Sequence, residues 1–233
     1  MNETMRPEPR RSSPLAGMVD DLSGVALATE DDWPALGRYR AANARLNGVP
    51  QKLVFLGDSI TEMWQAADPA MFGRGIVNRG IAGQTAPQML LRFMADVVSL
   101  TPRAVHLMAG TNDIAGNTGP ATVVDYQNHM LAMVALAQAH GLRVIIGSIP
   151  PMTTVPWRRE IDAVAARVVE LNHWLRALAV GRGFVHADYH AVLAAPDGGM
   201  HAAFTTDGVH LSDTGYRRMR PIARAAVAAA LKT

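Results

Sequence analysis

From residue 31 onward, short apolar runs alternate with longer stretches of helical periodicity, and this alternation restricts the possible folds more than any other feature of the chain. Lys52–Gly57 (KLVFLG) reads as a buried strand closed by glycine, and Ile76–Asn78 as a weaker one. Ala104–Met108, Arg143–Ser148 and Phe184–Ala187 read as three more. Between them, Ala86–Leu100 repeats Met89/Leu90, Phe93/Met94 and Val97/Val98 on one face, with Pro87 in its first turn. Pro120 opens a helix that Gly141 closes, and Ile161, Val164, Val168, Leu171, Leu175 and Leu178 follow steps of 3 and 4. Asp31 or Asp32 is placed to cap a helix reaching Leu46. A last helix runs to Leu231, and Pro221 predicts either a late start or a kink in it. Strands separated by helices require right-handed crossovers and a sheet covered on both faces. The expectation is an α/β fold: a three-layer α/β/α sandwich around a mostly parallel five-stranded sheet, of flavodoxin-like type.

The 233 residues fit one domain over residues 31–233, preceded by a weakly ordered segment over residues 1–30, where Pro7, Pro9, Arg10, Arg11, Ser12, Ser13 and Pro14 break any period. With 49% hydrophobic and 18% charged residues the chain can bury a sizeable core, which excludes disorder throughout. The absence of cysteine excludes disulfide scaffolds, thiolate metal sites and a cysteine nucleophile. Net charge is +2, and the arginine groups at Arg6, Arg10, Arg11 and at Arg217, Arg218, Arg220 form no long basic stripe, so no nucleic-acid partner is expected. Apolar runs such as Ala225–Leu231 fall short of the roughly 18 residues of a membrane span. No uninterrupted apolar stretch of about 7–15 residues follows the N-terminal charges. The expected location is cytoplasmic, or secreted if a native leader is missing. A homo-oligomer is compatible with the sequence.

In open parallel sheets, ligands bind beyond the carboxyl ends of the strands. Asp58–Glu62 follows the first strand, Gly80–Thr85 the second and Gly110–Asp113 the third, while Asp207–His210 precedes the last helix. Together they supply a hydroxyl, glycine N–H groups, a carboxamide, an imidazole and a carboxylate. A hydroxyl attacks at neutral pH only beside a base, the base needs an acid to fix its tautomer, and the tetrahedral intermediate needs donors at its oxyanion. Each block also has a plain structural reading when taken alone. Ser59-Ile60-Thr61-Glu62 matches a capping box. Asp58 reads as a turn-holder, Gly83 as a turn glycine, Asn112 and Asp113 as Asx-turn formers, and Asp207-Gly208 as a turn.

Gly57-Asp58-Ser59-Ile60, Gly80-Ile81-Ala82-Gly83, Gly110-Thr111-Asn112-Asp113 and Asp207-Gly208-Val209-His210 resemble the four blocks of the SGNH, or GDSL-type, hydrolases, in that family's order. The resemblance covers the chain from about Lys52 to the C-terminal helix, and Ile60 replaces the usual leucine of the first block with another apolar residue. It implies Ser59 as nucleophile, His210 as general base and Asp207 as the residue orienting it. It also implies an oxyanion hole made by Ser59 N–H, Gly83 N–H and the Asn112 side chain. No cofactor and no metal enter this chemistry.

The expected function is that of a serine esterase releasing small acyl groups, acetyl or another short chain, from a small-molecule or carbohydrate ester through an acyl-enzyme. No long insertion suggests a lid, which favours short chains. The alternatives are an acyltransferase using the same site with a sugar or alcohol acceptor, and a non-catalytic flavodoxin-like binding module. For the latter the phosphate-binding glycine motifs are missing. A general α/β-hydrolase needs glycine two places after its serine, where Thr61 stands. His186, Asp188 and His190 lack a clear further ligand for a metal site, His106 reads as a core residue, and core packing is the preferred reading for Trp64 and Trp157 over a pocket wall.

Overall fold

In the computed structural model, which describes residues 31–232, the expected strands are β1 (Leu53–Gly57), β2 (Ile76–Gly80), β3 (Ala104–Met108), β4 (Arg143–Gly147) and β5 (Val185–Ala187). They pair in parallel in the order β2-β1-β3-β4-β5. This is the doubly wound order whose switch point lies between β1 and β3. The expectation of weak order for residues 1–30 lies outside the described residues.

Successive strand side chains point to opposite faces, so an unbroken apolar run fills both. Val54, Leu56, Val105, Leu107, Val144 and Ile146 pack on one side with α3 (Ala86–Asp96), α5 (Val123–Ala139) and α6 (Val164–Arg182). Leu53, Phe55, Ala104, Met108 and Ile145 pack on the other with α2 (Ser59–Ala67) and α8 (Asp213–Leu231). In α6 the 3-and-4 stepping is the buried stripe, through Val164, Val168, Leu171 and Leu175. Short helices α1 (Arg40–Arg45), α4 (Thr111–Ile114) and α7 (His190–Leu193) complete the α/β fold. Among the described residues no helix is long and apolar enough to cross a membrane.

Two local expectations are corrected, and a third, the late start or kink at Pro221, loses its first branch. The segment from Asp32 does not form one helix to Leu46. Asp32 spends its carboxylate on the N–H groups of Leu36 (2.8 Å) and Gly37 (2.7 Å), and Ala35 takes a left-handed φ of 56°, so regular helix waits until Arg40. Ser59 is not the cap of α2. Asp58 is, accepting from Ile60 N–H at 3.0 Å, which makes Ser59 the first helical residue. Pro221 does not delay α8, which starts at Asp213 under a Ser212 cap and runs through the proline. The one donor lost there is offset by burying Tyr216, Met219, Ala223, Ala226 and Ala230.

Candidate active site

The turn from β1 into α2 places a hydroxyl at a helix N-terminus. Gly57 has no room for a side chain, since a Cβ would collide with Thr61 Oγ1 and lie 2.9 Å from the Met108 carbonyl. Ser59 follows as the first residue of α2, so its N–H has no partner within the helix. Its Oγ lies 3.1 Å from Nε2 of His210, a residue 151 positions away in sequence. His210 Nδ1 in turn lies 2.7 Å from Asp207 Oδ2. The other Asp207 oxygen accepts from the backbone N–H groups of His210 (2.7 Å) and Val209 (2.9 Å).

This chain of bonds fixes roles for the protons. A carboxylate at Nδ1 holds the hydrogen there and leaves the Nε2 lone pair facing the serine hydroxyl. Burial pushes the Asp207 carboxyl up, but the bonds from the His210 side chain and backbone and from Val209 outweigh it and bring its pKa to about 2. The Asp207 carboxyl is therefore ionised throughout the neutral range.

Gly83 lies on the loop after β2 with φ of 77°, a conformation that favours glycine. Glu62 Oε2 accepts from the neighbouring Ala82 N–H at 2.7 Å and ties this loop to α2. Asn112 sits in α4, after β3. Its Nδ2 donates to Gln84 O at 3.0 Å and lies 3.5 Å from Asp58 Oδ2. The structure thus joins Ser59, His210 and Asp207 directly, and brings Asn112 against Asp58, the neighbour of Ser59. Gly83 is linked to Asn112 through Asn117, whose Nδ2 donates to Gly83 O (3.1 Å) and to Asn112 Oδ1 (2.8 Å).

Two of these residues escape the sequence reading, the first only in part. Trp157 is half-buried: it packs against the edge of the core, as expected, and also reaches the site. Its ring lies tilted over the His210 imidazole, centroids 5.8 Å apart, and its Nε1 donates to Asn117 Oδ1 at 3.0 Å. The signal available was its place after β4, at the same edge of the sheet as the other blocks. Asn117 belongs to no motif. Trp64, by contrast, is fully buried against Phe55, Tyr189 and Tyr216. His106 is buried too, stacked on Phe55 and 2.8 Å from Tyr189 Oη, and burial lowers its pKa to about 3. His186, Asp188 and His190 border a separate cavity of about 160 Å3. A larger cavity of about 950 Å3 adjoins Asn117, with Asp113, Tyr126, Arg158 and Arg167 in its wall.

Two carboxyls, Asp113 and Asp58, are buried beside these loops. Asp113 bonds the Ala86 N–H at the start of α3 (3.0 and 3.2 Å). Burial pushes its pKa to about 7, opposed by that bond and reinforced by Asp58. Burial likewise raises Asp58 to about 6, against the Ile60 N–H and His210. Both groups hold protons more tightly folded than unfolded, so the unfolded chain ionises first as pH rises. Their contribution is complete below about pH 4, declines from there and levels off above about pH 7. Asp207 works in the opposite sense, and its contribution is lost only as pH falls from about 4 toward 2. Asp113→Asn is expected to flatten the decline between pH 4 and 7, gaining on the parent by a few kcal/mol at pH 8. Melting curves across that range check this; an unchanged pH profile in the variant would contradict it.

Comparison with known proteins gives a consistent result. The sequence profile of the GDSL-like lipase/acylhydrolase family matches residues 55–218. The structure is similar to that of a provisionally assigned acylhydrolase from Bacteroides fragilis, with TM-score 0.83 and 35% identity over 87% of this chain and 100% of that one. It is also similar to a GDSL-like lipase from Bacteroides thetaiotaomicron, with TM-score 0.81 and 35% identity over 85% and 99%. An acetyl xylan esterase at 22% identity and TM-score 0.62 shares the fold. Among curated sequences, the uncharacterized lipoprotein YqeF of Bacillus subtilis is 32% identical over 84 residues, which is 35% of this chain and 32% of that protein. The chain therefore spans about a third of that relative's length.

Proposed function

Because the chain belongs to the GDSL-like lipase/acylhydrolase family, we propose that it is a serine esterase working through an acyl-enzyme, with Ser59 as nucleophile, His210 as general base and Asp207 as its orienting acid. The observation that carries this reading is the unbroken run from Ser59 Oγ to His210 Nε2 (3.1 Å) and from His210 Nδ1 to Asp207 Oδ2 (2.7 Å). His210 takes the Ser59 proton as Oγ bonds to the ester carbonyl carbon. The carbonyl oxygen becomes an oxyanion, received by Ser59 N–H, Gly83 N–H and the Asn112 carboxamide. As the tetrahedral intermediate collapses, the ester C–O bond breaks and His210 gives its proton to the departing alcohol. Water then repeats the sequence with its own proton passing to His210, the acid leaves, and the proton returns to Ser59.

The substrate is a small-molecule or carbohydrate ester carrying an acetyl or other short acyl chain. The short connections after β1, β2 and β3 support this, whereas the longer segment 148–163 between β4 and α6 brings Trp157 against the His210 ring. The test is a panel of aryl esters from acetyl to decanoyl, run with and without a sugar or alcohol acceptor. The expected result is highest kcat/KM for acetyl or propionyl and free acid as the product. Equal or better turnover of the decanoyl ester would overturn the short-chain assignment. Transfer product exceeding free acid would make the chain an acyltransferase instead.

A further inference from the structure

We propose that Asn117 is a positioning residue: it locks both Gly83 and Asn112 in register for the oxyanion and couples them, through Trp157, to His210. The proposal rests on the esterase reading above, because it presupposes that those two residues receive the oxyanion.

A primary carboxamide can turn either its C=O or its NH2 toward a ligand, and only the NH2 helps an oxyanion. Asn117 decides the matter for Asn112. Its Nδ2 donates to Asn112 Oδ1 at 2.8 Å, while Gln84 O takes a hydrogen of Asn112 Nδ2 at 3.0 Å. A flipped Asn112 would lose both bonds and set donor against donor and acceptor against acceptor. The second Asn117 Nδ2 hydrogen goes to Gly83 O at 3.1 Å. Glu62 already holds the Ala82 N–H at 2.7 Å, so Gly83 is pinned on both sides of its own N–H.

The remaining polar atom, Asn117 Oδ1, takes the Trp157 Nε1 hydrogen at 3.0 Å, and that indole lies 5.8 Å from the His210 ring at 32°. Three bonds therefore use every polar atom of this side chain, and each leads to a different part of the site. Asn117 is nonetheless exposed, at the rim. An exposed side chain that contributes nothing to the core is replaceable with little effect on stability, which separates a kinetic role from a structural one.

The test is Asn117→Ala and Asn117→Asp, each in the parent and in Asn112→Ala. Readouts are kcat and KM for an acetyl ester, inhibition by a trifluoromethyl ketone that adds Ser59 to form a tetrahedral adduct, and melting temperature. For Asn117→Ala the expected result is a fall in kcat of about tenfold, less than the 10²–10³ of deleting a donor outright. KM should stay within about twofold, and the ketone should bind more weakly by the same factor as kcat/KM falls. The melting temperature should be unchanged. The aspartate, which has no hydrogen for either acceptor, should be no better than alanine. In Asn112→Ala the further loss should shrink to about threefold or less, the signature of coupled residues. An unchanged kcat, or an equal loss in both backgrounds, would overturn the proposal. Ser59→Ala separates the two levels. If it retains activity the esterase reading itself is wrong; if it is inactive while Asn117→Ala runs at the parent rate, only the positioning role is wrong.

Discussion

Ser59→Ala is expected to lower kcat for an acetyl ester by about 10⁵–10⁶, with His210→Ala nearly as damaging and the double variant no worse than either single one. The pattern follows from the bonding. Among the described residues, the imidazole bonded to the Ser59 hydroxyl is that of His210, whose Nε2 faces it. Removing one leaves the other without a task. Asp207→Ala should cost less, about 10⁴, because the imidazole can still accept a proton when poorly held. Residual rates above water would come from the oxyanion donors and binding. Initial-rate kinetics on purified variants check all four values. Retention of more than about 1% of kcat by Ser59→Ala, or strictly additive losses in the double variant, would be incompatible with this site.

The second large effect concerns stability. Arg92 is completely buried in α3. Its guanidinium donates to Gly57 O (3.0 Å), Arg79 O (2.8 Å), Gln84 Oε1 (2.6 Å) and Asp96 Oδ2 (3.1 Å). Burial works to strip its proton and Asp96 opposes that. Arg92 thereby ties together the ends of β1 and β2 just before the turn that carries Ser59 and the loop that carries Gly83.

Arg92→Leu leaves the Asp96 carboxylate buried without its cation, a defect that costs about 3–5 kcal/mol. For a chain of this size that is a fall in melting temperature of about 6–20 °C. Replacing both partners with apolar residues, Arg92→Leu with Asp96→Leu, should recover much of the loss, because no charge is then left unpaired. Thermal unfolding of the three proteins decides this. A single variant melting within about 2 °C of the parent would show that the pair carries no such weight.

What the sequence makes legible is local. Strands β1, β3 and β4 announce themselves as apolar runs, and the four polar blocks stand directly beyond strand ends, where the crossover rule puts them on one edge. Hidden are the features that depend on partners distant in the chain. Arg92 falls in a helix read for its apolar face, and nothing nearby in sequence tells that Gly57 and Arg79 carbonyls wait for it. Pro221 is a local stop signal overridden by burial of the helix face around it. The Ser59–Glu62 pattern is one residue out of register because Asp58 competes for the cap and frees Glu62 for Ala82. Asn117 and Trp157 gain their meaning only from each other and from distant partners, Gly83 and Asn112 for the one and His210 for the other.

The most direct measurement is the covalent labelling of the nucleophile. The protein is treated with a fluorophosphonate, and the modified residue and the labelling rate are read by peptide mass spectrometry in the parent and in His210→Ala. The expected result is a single adduct on Ser59, formed at least about 10³ times more slowly when the imidazole is gone. An adduct on another side chain, or a Ser59 adduct appearing equally fast without His210, would contradict it.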